Sequence, residues 1–211
     1  MPEAKILRMT FTFAILLLLA SAQNAPSVPV DSIAPTFTAT DDRGAARSLT
    51  DFKGKWVVLE WHEKGCPYVT KHYRSGHMQG LQKQWTDQGV NWLMITSSAE
   101  GNHSYLTPSE SRAYIAELKA APTAHLLDVD GKIGRAYGVL TALHMVVIDP
   151  TGKVVYNGAI DDKPTTRVED LAGARNYVQR ALTEARAGRQ VTPAATTPYG
   201  CSVHYSATQG K

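Results

Sequence analysis

The feature that most narrows the fold is a strand-type run that feeds through a turn into a helix. Trp56-Val57-Val58-Leu59-Glu60-Trp61 follows a Gly54 turn signal, and its largely apolar character fits a central strand buried on both faces. Gly65-Cys66-Pro67 comes next, and proline suits the first helical position because its missing N–H would have no partner there. Pro67 to Gln88 has helical composition, broken near Ser75-Gly76, with Leu81 and Trp85 spaced i, i+4 on one face. Trp92-Leu93-Met94-Ile95 is a second strand-type run, so the order is strand, helix, strand.

Further along, Thr107-Pro108-Ser109-Glu110 carries a capping box with proline at the first helical position, which predicts a helix from Pro108 to Lys119. His125-Leu126-Leu127 and Met145-Val146-Val147-Ile148 read as strands. The second of these, the turn Asp149-Pro150-Thr151-Gly152 and Lys153 to Asn157 make a β-hairpin, the one clearly antiparallel feature. Thr166 and Glu169 form another capping box, and Val168, Leu171, Val178, Leu182 and Ala185 keep a helical stripe up to Gly188. The fold expected is an α/β sandwich: a mixed central sheet with helices on both faces and a C-terminal β-hairpin plus helix. Trp61, Trp85 and Trp92 belong to its core.

The ends read differently. Lys5 and Arg8 precede an apolar run from Met9 to Ala20, and Ala20-Ser21-Ala22 has the small residues of a signal-peptidase site. Residues 1–22 are therefore expected to be a signal peptide, since the run is shorter than the roughly 20 residues of a membrane span. That predicts a secreted protein, periplasmic if the source is Gram-negative, with no stable membrane span in the mature form. Residues 23–32 read as a linker, 33–188 as one domain, and 189–211 as a Thr/Ala/Pro-rich tail that carries Cys201. Tyr199 and Tyr205 flank that cysteine and give the tail a way to fold back over the site.

Composition excludes several classes. With 22 Lys+Arg against 19 Asp+Glu and no basic run longer than two, the footprint of a nucleic-acid binder is missing. Two cysteines rule out a disulfide-rich scaffold and an all-cysteine zinc site, so any sulfur chemistry uses Cys66, Cys201 or both. Pro67 puts the Cys66 sulfur at a helix N-terminus, where unpaired N–H groups and the macrodipole favour the thiolate. Lys64 and Lys71 add positive charge nearby. Thiols in such settings fall from about 8.5 to roughly 3.5–7.5, whereas burial pushes the other way. The plain alternative is a small apolar residue at a strand–helix junction.

These residues resemble the thioredoxin-like superfamily, in its secreted redoxin branch named after alkyl hydroperoxide reductase and thiol-specific antioxidant proteins (AhpC/TSA). Ile33-Ala34-Pro35-Thr36-Phe37 with Asp41 and Gly44 is similar to the opening motif of a redoxin domain, and Leu49 to Lys55 resembles the turn before its first core strand. Val57 to Val69 resembles the active-site strand and turn. The resemblance implies that Cys66 is the nucleophile and that Glu60 is the buried acid that accepts or relays a proton. No cofactor and no metal are expected. Val69 stands where the second cysteine of a CxxC pair would be, so a different resolving thiol is required and Cys201 is the candidate. The same bond could instead be a structural staple, or the two sulfurs need not meet. Leu143 stands where the superfamily carries a cis-proline; a trans peptide is expected there.

Three functions compete. The first is an exported thiol–disulfide oxidoreductase acting on a disulfide-containing protein or small thiol, with an external reductant. The second is a peroxiredoxin-like thiol peroxidase, with a peroxide as substrate. Leu59 and Glu63 occupy positions where such peroxidases carry the proline and the Thr or Ser that orient peroxide. The third is a copper- or zinc-binding module, using Cys66 with His62, His72, His77 or His144, against which stands the missing second thiolate of a CxxxC turn. His62 and His72 are expected to be partly exposed. Asp161-Asp162 reads as the lead-in to a helix, and Gly101-Asn102-His103-Ser104 as a loop without phosphate-binding spacing.

Overall fold

The computed structural model describes residues 27–205. Seven strands form one sheet: β1 (Thr38–Asp41), β2 (Ala46–Ser48), β3 (Val57–Trp61), β4 (Asn91–Thr96), β5 (Ala124–Leu127), β6 (His144–Ile148) and β7 (Val154–Ala159). Their spatial order is β2-β1-β5-β4-β3-β6-β7. β3 runs parallel to β4, with Val57 opposite Asn91, and β4 runs parallel to β5. All other pairings are antiparallel. Every residue of β3 is buried, because its central position places packed layers on both faces.

The helices are α1 (Pro67–Arg74), α2 (His77–Thr86), α3 (Pro108–Glu117), α4 (Lys132–Ala136) and α5 (Tyr177–Arg186). Val69 and Tyr73 of α1, Leu81 and Trp85 of α2 and Leu182 of α5 pack with Val58, Trp92 and Met94 in one core cluster. On the opposite face Leu59, Trp61 and Leu93 pack with Ile133 of α4 and with Phe52 from the 3-10 turn Leu49–Phe52. The alternation along β3 thus feeds two cores, and this is the sandwich with helices on both faces. Trp61, Trp85 and Trp92 are all buried in it. Helix α3 starts with the full capping box: Thr107 accepts from the Glu110 N–H, and the Glu110 side chain accepts from the Thr107 N–H. Gly76, at φ +75°, makes the break between α1 and α2 in a backbone region that favours glycine.

Three sequence expectations need correction. The β6–β7 hairpin is not the one antiparallel feature: β1 and β2 form another, and β1 pairs antiparallel with β5 and β6 with β3. The β1–β2 pair carries no clear strand pattern in the sequence because both strands are short and largely polar, and β2 is the edge strand. The second capping box does not open the last helix. Asp170 is instead bound by Thr165 and Arg167, a 3-10 turn spans Val168–Gly173, and α5 begins after Asn176, whose side chain accepts from the Gln179 N–H at 2.7 Å. Finally, residues 27–32 are docked rather than free. Val28 is buried in a core cluster, the Asp31 N–H donates to Val154 O at 2.8 Å, and the Val154 N–H donates to Ser32 O at 2.9 Å.

The signal-peptide expectation for residues 1–22 lies outside the described residues. Among the described residues no helix is long and apolar enough to cross a membrane.

Candidate active site

Cys66 is the N-cap residue of α1, with Pro67 at the first helical position. Gly65 before it has φ +81°, the Cys66 N–H donates to Glu63 O at 3.3 Å, and its carbonyl accepts from the Thr70 N–H at 2.8 Å. The residue is 2% exposed, and its sulfur is bonded to Cys201, with a Cα–Cα distance of 5.8 Å across a sequence separation of 135. The Cys201 N–H also points at Cys66 Sγ, at 3.3 Å.

The tail reaches this position as an added strand. Thr141 pairs antiparallel with Ser202, the Ala142 N–H donates to Cys201 O at 2.9 Å, and the Val203 N–H donates to Leu140 O at 2.9 Å. Gly200 lies so close to the Ala142 carbonyl that a β-carbon there would collide with it. Earlier in the tail, Ala195 bridges to Asn157, and Thr196 Oγ1 accepts from the Ala159 N–H at 2.9 Å. Both sides of Cys201 are therefore held by backbone pairing.

A buried polar cluster secures the tail beside the cysteine. The Tyr199 hydroxyl donates to Asp161 Oδ1 at 2.5 Å and lies 3.3 Å from His72 Nε2. Lys71 Nζ, itself buried, donates to Lys163 O at 2.7 Å and to the Tyr199 hydroxyl at 3.4 Å. Burial lowers the Lys71 ammonium and pushes His72 down to about 2, with Lys71 adding repulsion, so the imidazole is neutral. Lys71 thus bridges the loop after β7 and the tail. Lys64, the other cation expected near the sulfur, lies over the Tyr114 ring, 5.6 Å from its centroid.

Glu60 is fully buried and hydrogen-bonded on both oxygens. Tyr73 donates to Oε1 at 2.7 Å, while Gln82 at 2.9 Å and Trp92 at 2.7 Å donate to Oε2. The structure brings Cys66 and Cys201 together; the hydrogen bonds of Glu60 among the described residues run to helix and strand side chains of the core instead.

The AhpC/TSA family model matches residues 30–157, which hold both the strand before Cys66 and the strand after Leu143. The chain belongs to the AhpC/TSA family. Among curated proteins, the thiol-disulfide oxidoreductase ResA of Bacillus cereus is 26% identical over 70% of this chain and 86% of its own length. An uncharacterized conserved protein from Geobacillus kaustophilus has the same fold at a TM-score of 0.74 and 23% identity, covering 85% of this chain and 94% of its own. The thioredoxin domain of a thiol-disulfide oxidoreductase from Bacteroides vulgatus superposes at a TM-score of 0.50 and 25% identity, over 62% of this chain and 89% of its own. The fold is a thioredoxin-like redoxin.

Leu143 precedes β6 in a left-handed conformation. Its preceding peptide is trans and its φ is +56°, and its N–H donates to Trp61 O at 2.8 Å, a bond no proline could make. The histidines considered as copper or zinc ligands with Cys66 have other partners. His62 Nε2 meets the Tyr114 hydroxyl at 3.1 Å, His72 and His77 face each other through Nδ1 at 3.1 Å, and His144 Nε2 meets Asn157 Oδ1 at 2.5 Å. His62 and His72 are buried, not partly exposed: the His62 ring packs against Tyr73 and Tyr114, and the His72 ring lies against His77 and the Tyr199 hydroxyl. Sequence reasoning missed Asp161 as an anchor, since its partner Tyr199 is 38 residues away and no spacing rule links them.

Proposed function

We propose that this chain is an exported thiol–disulfide oxidoreductase in which Cys66 attacks and Cys201 resolves. The observation that carries it is the bond between a helix N-cap cysteine and a cysteine on an added tail strand. In the reduced protein the Cys66 thiolate attacks one sulfur of a substrate disulfide, forming a mixed disulfide and releasing one substrate thiolate. The Cys201 thiolate then attacks Cys66 Sγ, which expels the second substrate thiolate and leaves the Cys66–Cys201 disulfide. An external dithiol returns both to thiols. Helix N–H groups around the N-cap stabilise the Cys66 thiolate as attacker and as leaving group. The names of the ResA relatives support this chemistry, and Glu60 is the proton relay in this reading. Residues 1–22 direct export.

A thiol peroxidase remains the second reading because of the family match. There the Cys66 thiolate attacks a peroxide oxygen, the O–O bond breaks with release of water or an alcohol, and the sulfenic acid that forms loses its oxygen as water when the Cys201 thiol attacks Cys66 Sγ to form the same disulfide.

The deciding experiment follows reduced protein mixed with a small disulfide or with hydrogen peroxide. Rapid disulfide oxidation of the pair, with Cys201→Ser accumulating a mixed disulfide on Cys66, supports the oxidoreductase. Faster oxidation by peroxide supports the peroxidase. A pair that resists reduction below about −300 mV is a staple, and both readings fall.

A further inference from the structure

Beside the disulfide, a second cluster is assembled from three separate segments. Glu63 precedes Cys66 in the loop after β3; His103 sits in the loop after β4; His204 lies three residues beyond Cys201 on the tail. Glu63 Oε1 is 3.2 Å from His103 Nε2 and 3.7 Å from His204 Nε2, and one ligand atom from each of the three falls within 4.8 Å of the others. For metal bonds of about 2.1 Å at tetrahedral angles, neighbouring ligand atoms stand about 3.4 Å apart, which the first two separations bracket.

Two further facts point to a ligand. The Glu63 side chain is 4% exposed, yet its Oε2 has no hydrogen-bond partner among the described residues, so a buried carboxylate oxygen is left with unused lone pairs. Oε1, the oxygen that faces both histidines, is also 3.2 Å from the Ser104 hydroxyl, which lies 3.0 Å from Lys64 O as well, so the carboxylate is held in the loop with its second oxygen unused. The backbone also brings the histidines together: His204 O accepts from the Ala99 N–H at 3.3 Å and from Asn102 Nδ2 at 3.1 Å, and the two imidazole centroids are 5.3 Å apart. Both rings are partly open to solvent, which leaves room for water to complete the coordination.

We propose that Glu63, His103 and His204 form a binding site for a divalent transition-metal ion of the zinc class, completed when the Cys66–Cys201 bond holds the tail in place. Two imidazoles and one carboxylate suit such an ion, and they share no atom with the cysteine pair. Because His204 arrives on the disulfide-tethered strand, the ion and the disulfide stabilise each other. By linkage, whatever factor the disulfide adds to metal affinity the metal adds to disulfide formation.

The test is titration of the oxidised full chain with zinc chloride against a chromophoric chelator, with cobalt(II) absorption as the coordination signature. One equivalent of bound zinc is expected. His103→Ala and His204→Ala, both at exposed side chains, should each weaken it about tenfold or more and abolish the cobalt spectrum. Non-saturable binding, or affinity unchanged in both variants, overturns the site. For the linkage, a dithiol titration of the wild-type chain with and without zinc should move its midpoint toward the disulfide. An unmoved midpoint, or one moved toward the dithiol by zinc capture on the freed thiols, overturns the coupling.

Discussion

Tyr199 donates its hydroxyl hydrogen to Asp161 Oδ1 at 2.5 Å, which fixes the tail two residues before Cys201. Burial and the adjacent carboxylate both raise the Tyr199 phenol, so it stays a protonated donor throughout the stable pH range. Asp161 Oδ2 has no hydrogen bond among the described residues, so the carboxylate depends on Oδ1 contacts. Tyr199→Phe removes one of them, at about 1.5–3 kcal/mol for a hydrogen bond to a charged group. The tail then presents Cys201 to Cys66 less effectively, and the pair should become easier to reduce by about 30–60 mV, read by dithiol titration.

Reduction should free only part of the tail. The bonds at Ala142 and Val203 flank the disulfide, whereas the pairing of Asn157 with Ala194 and Thr196 lies along β7 and does not depend on sulfur. Hydrogen exchange should accelerate at the Ala142 and Val203 amides on reduction and stay unchanged at Asn157. Equal acceleration at all three would mean the tail leaves as one unit.

Glu60 gathers three donors around one carboxylate, from Tyr73, Gln82 and Trp92. Glu60→Gln turns an N–H toward at least one of those donors and should cost about 2–3 kcal/mol in urea unfolding. If Glu60 also relays a proton in thiol exchange, the variant slows disulfide reduction under conditions where it is still fully folded.

Buried histidines set the acid limit of stability. Burial pushes His125 down to about 3, with His62 adding repulsion, and pushes His144 down to about 4 and His72 to about 2. Each is neutral in the native state and takes up a proton near pH 6.5 once unfolded, so the unfolded chain binds more protons below that pH. Stability contributed by these rings is complete above about pH 6.5 and falls as pH drops, at about 1.4 kcal/mol per pH unit for each ring. The urea midpoint should decline steeply from pH 6.5 to pH 5, and less steeply in His144→Gln.

Leu143→Pro would restore the residue type of the wider superfamily and should nonetheless harm this protein. The substitution removes the N–H bonded to Trp61 O and demands a φ near −65° where the chain has +56°. A loss of about 3 kcal/mol or more is expected in thermal or urea unfolding.

The strands and helices around Cys66 were legible because each local signal agreed with its neighbours: the apolar run of β3, proline at the start of α1 and the capping box of α3. Where a local signal failed, long-range partners had taken its residues. Thr166 and Glu169 have the spacing of a cap, but the chain there folds around Asp170, and Asn176 takes over the role. The nucleophile position could be read from one turn of sequence. Of the tail's anchors Tyr199 could be read from the tail itself, but its partners Lys71 and Asp161 could not, because no local spacing links residues 38 and 128 positions apart. His103 and His204 likewise lie in loops whose spacing, 101 residues apart in the chain, carries no periodic mark.

The docking of residues 31–32 and 194–196 along β7 bears on how copies of this protein tolerate crowding. β7 ends the sheet, and a bare terminal strand offers unpaired N–H and C=O groups as a template for another chain. Here Val154 is capped from the N-terminal side and Asn157 from the C-terminal side, while the far border is the three-residue β2. Loss of residues 194–196, which needs both a cut ahead of them and reduction of the Cys66–Cys201 bond, would therefore uncover part of β7 as a template for pairing with another chain.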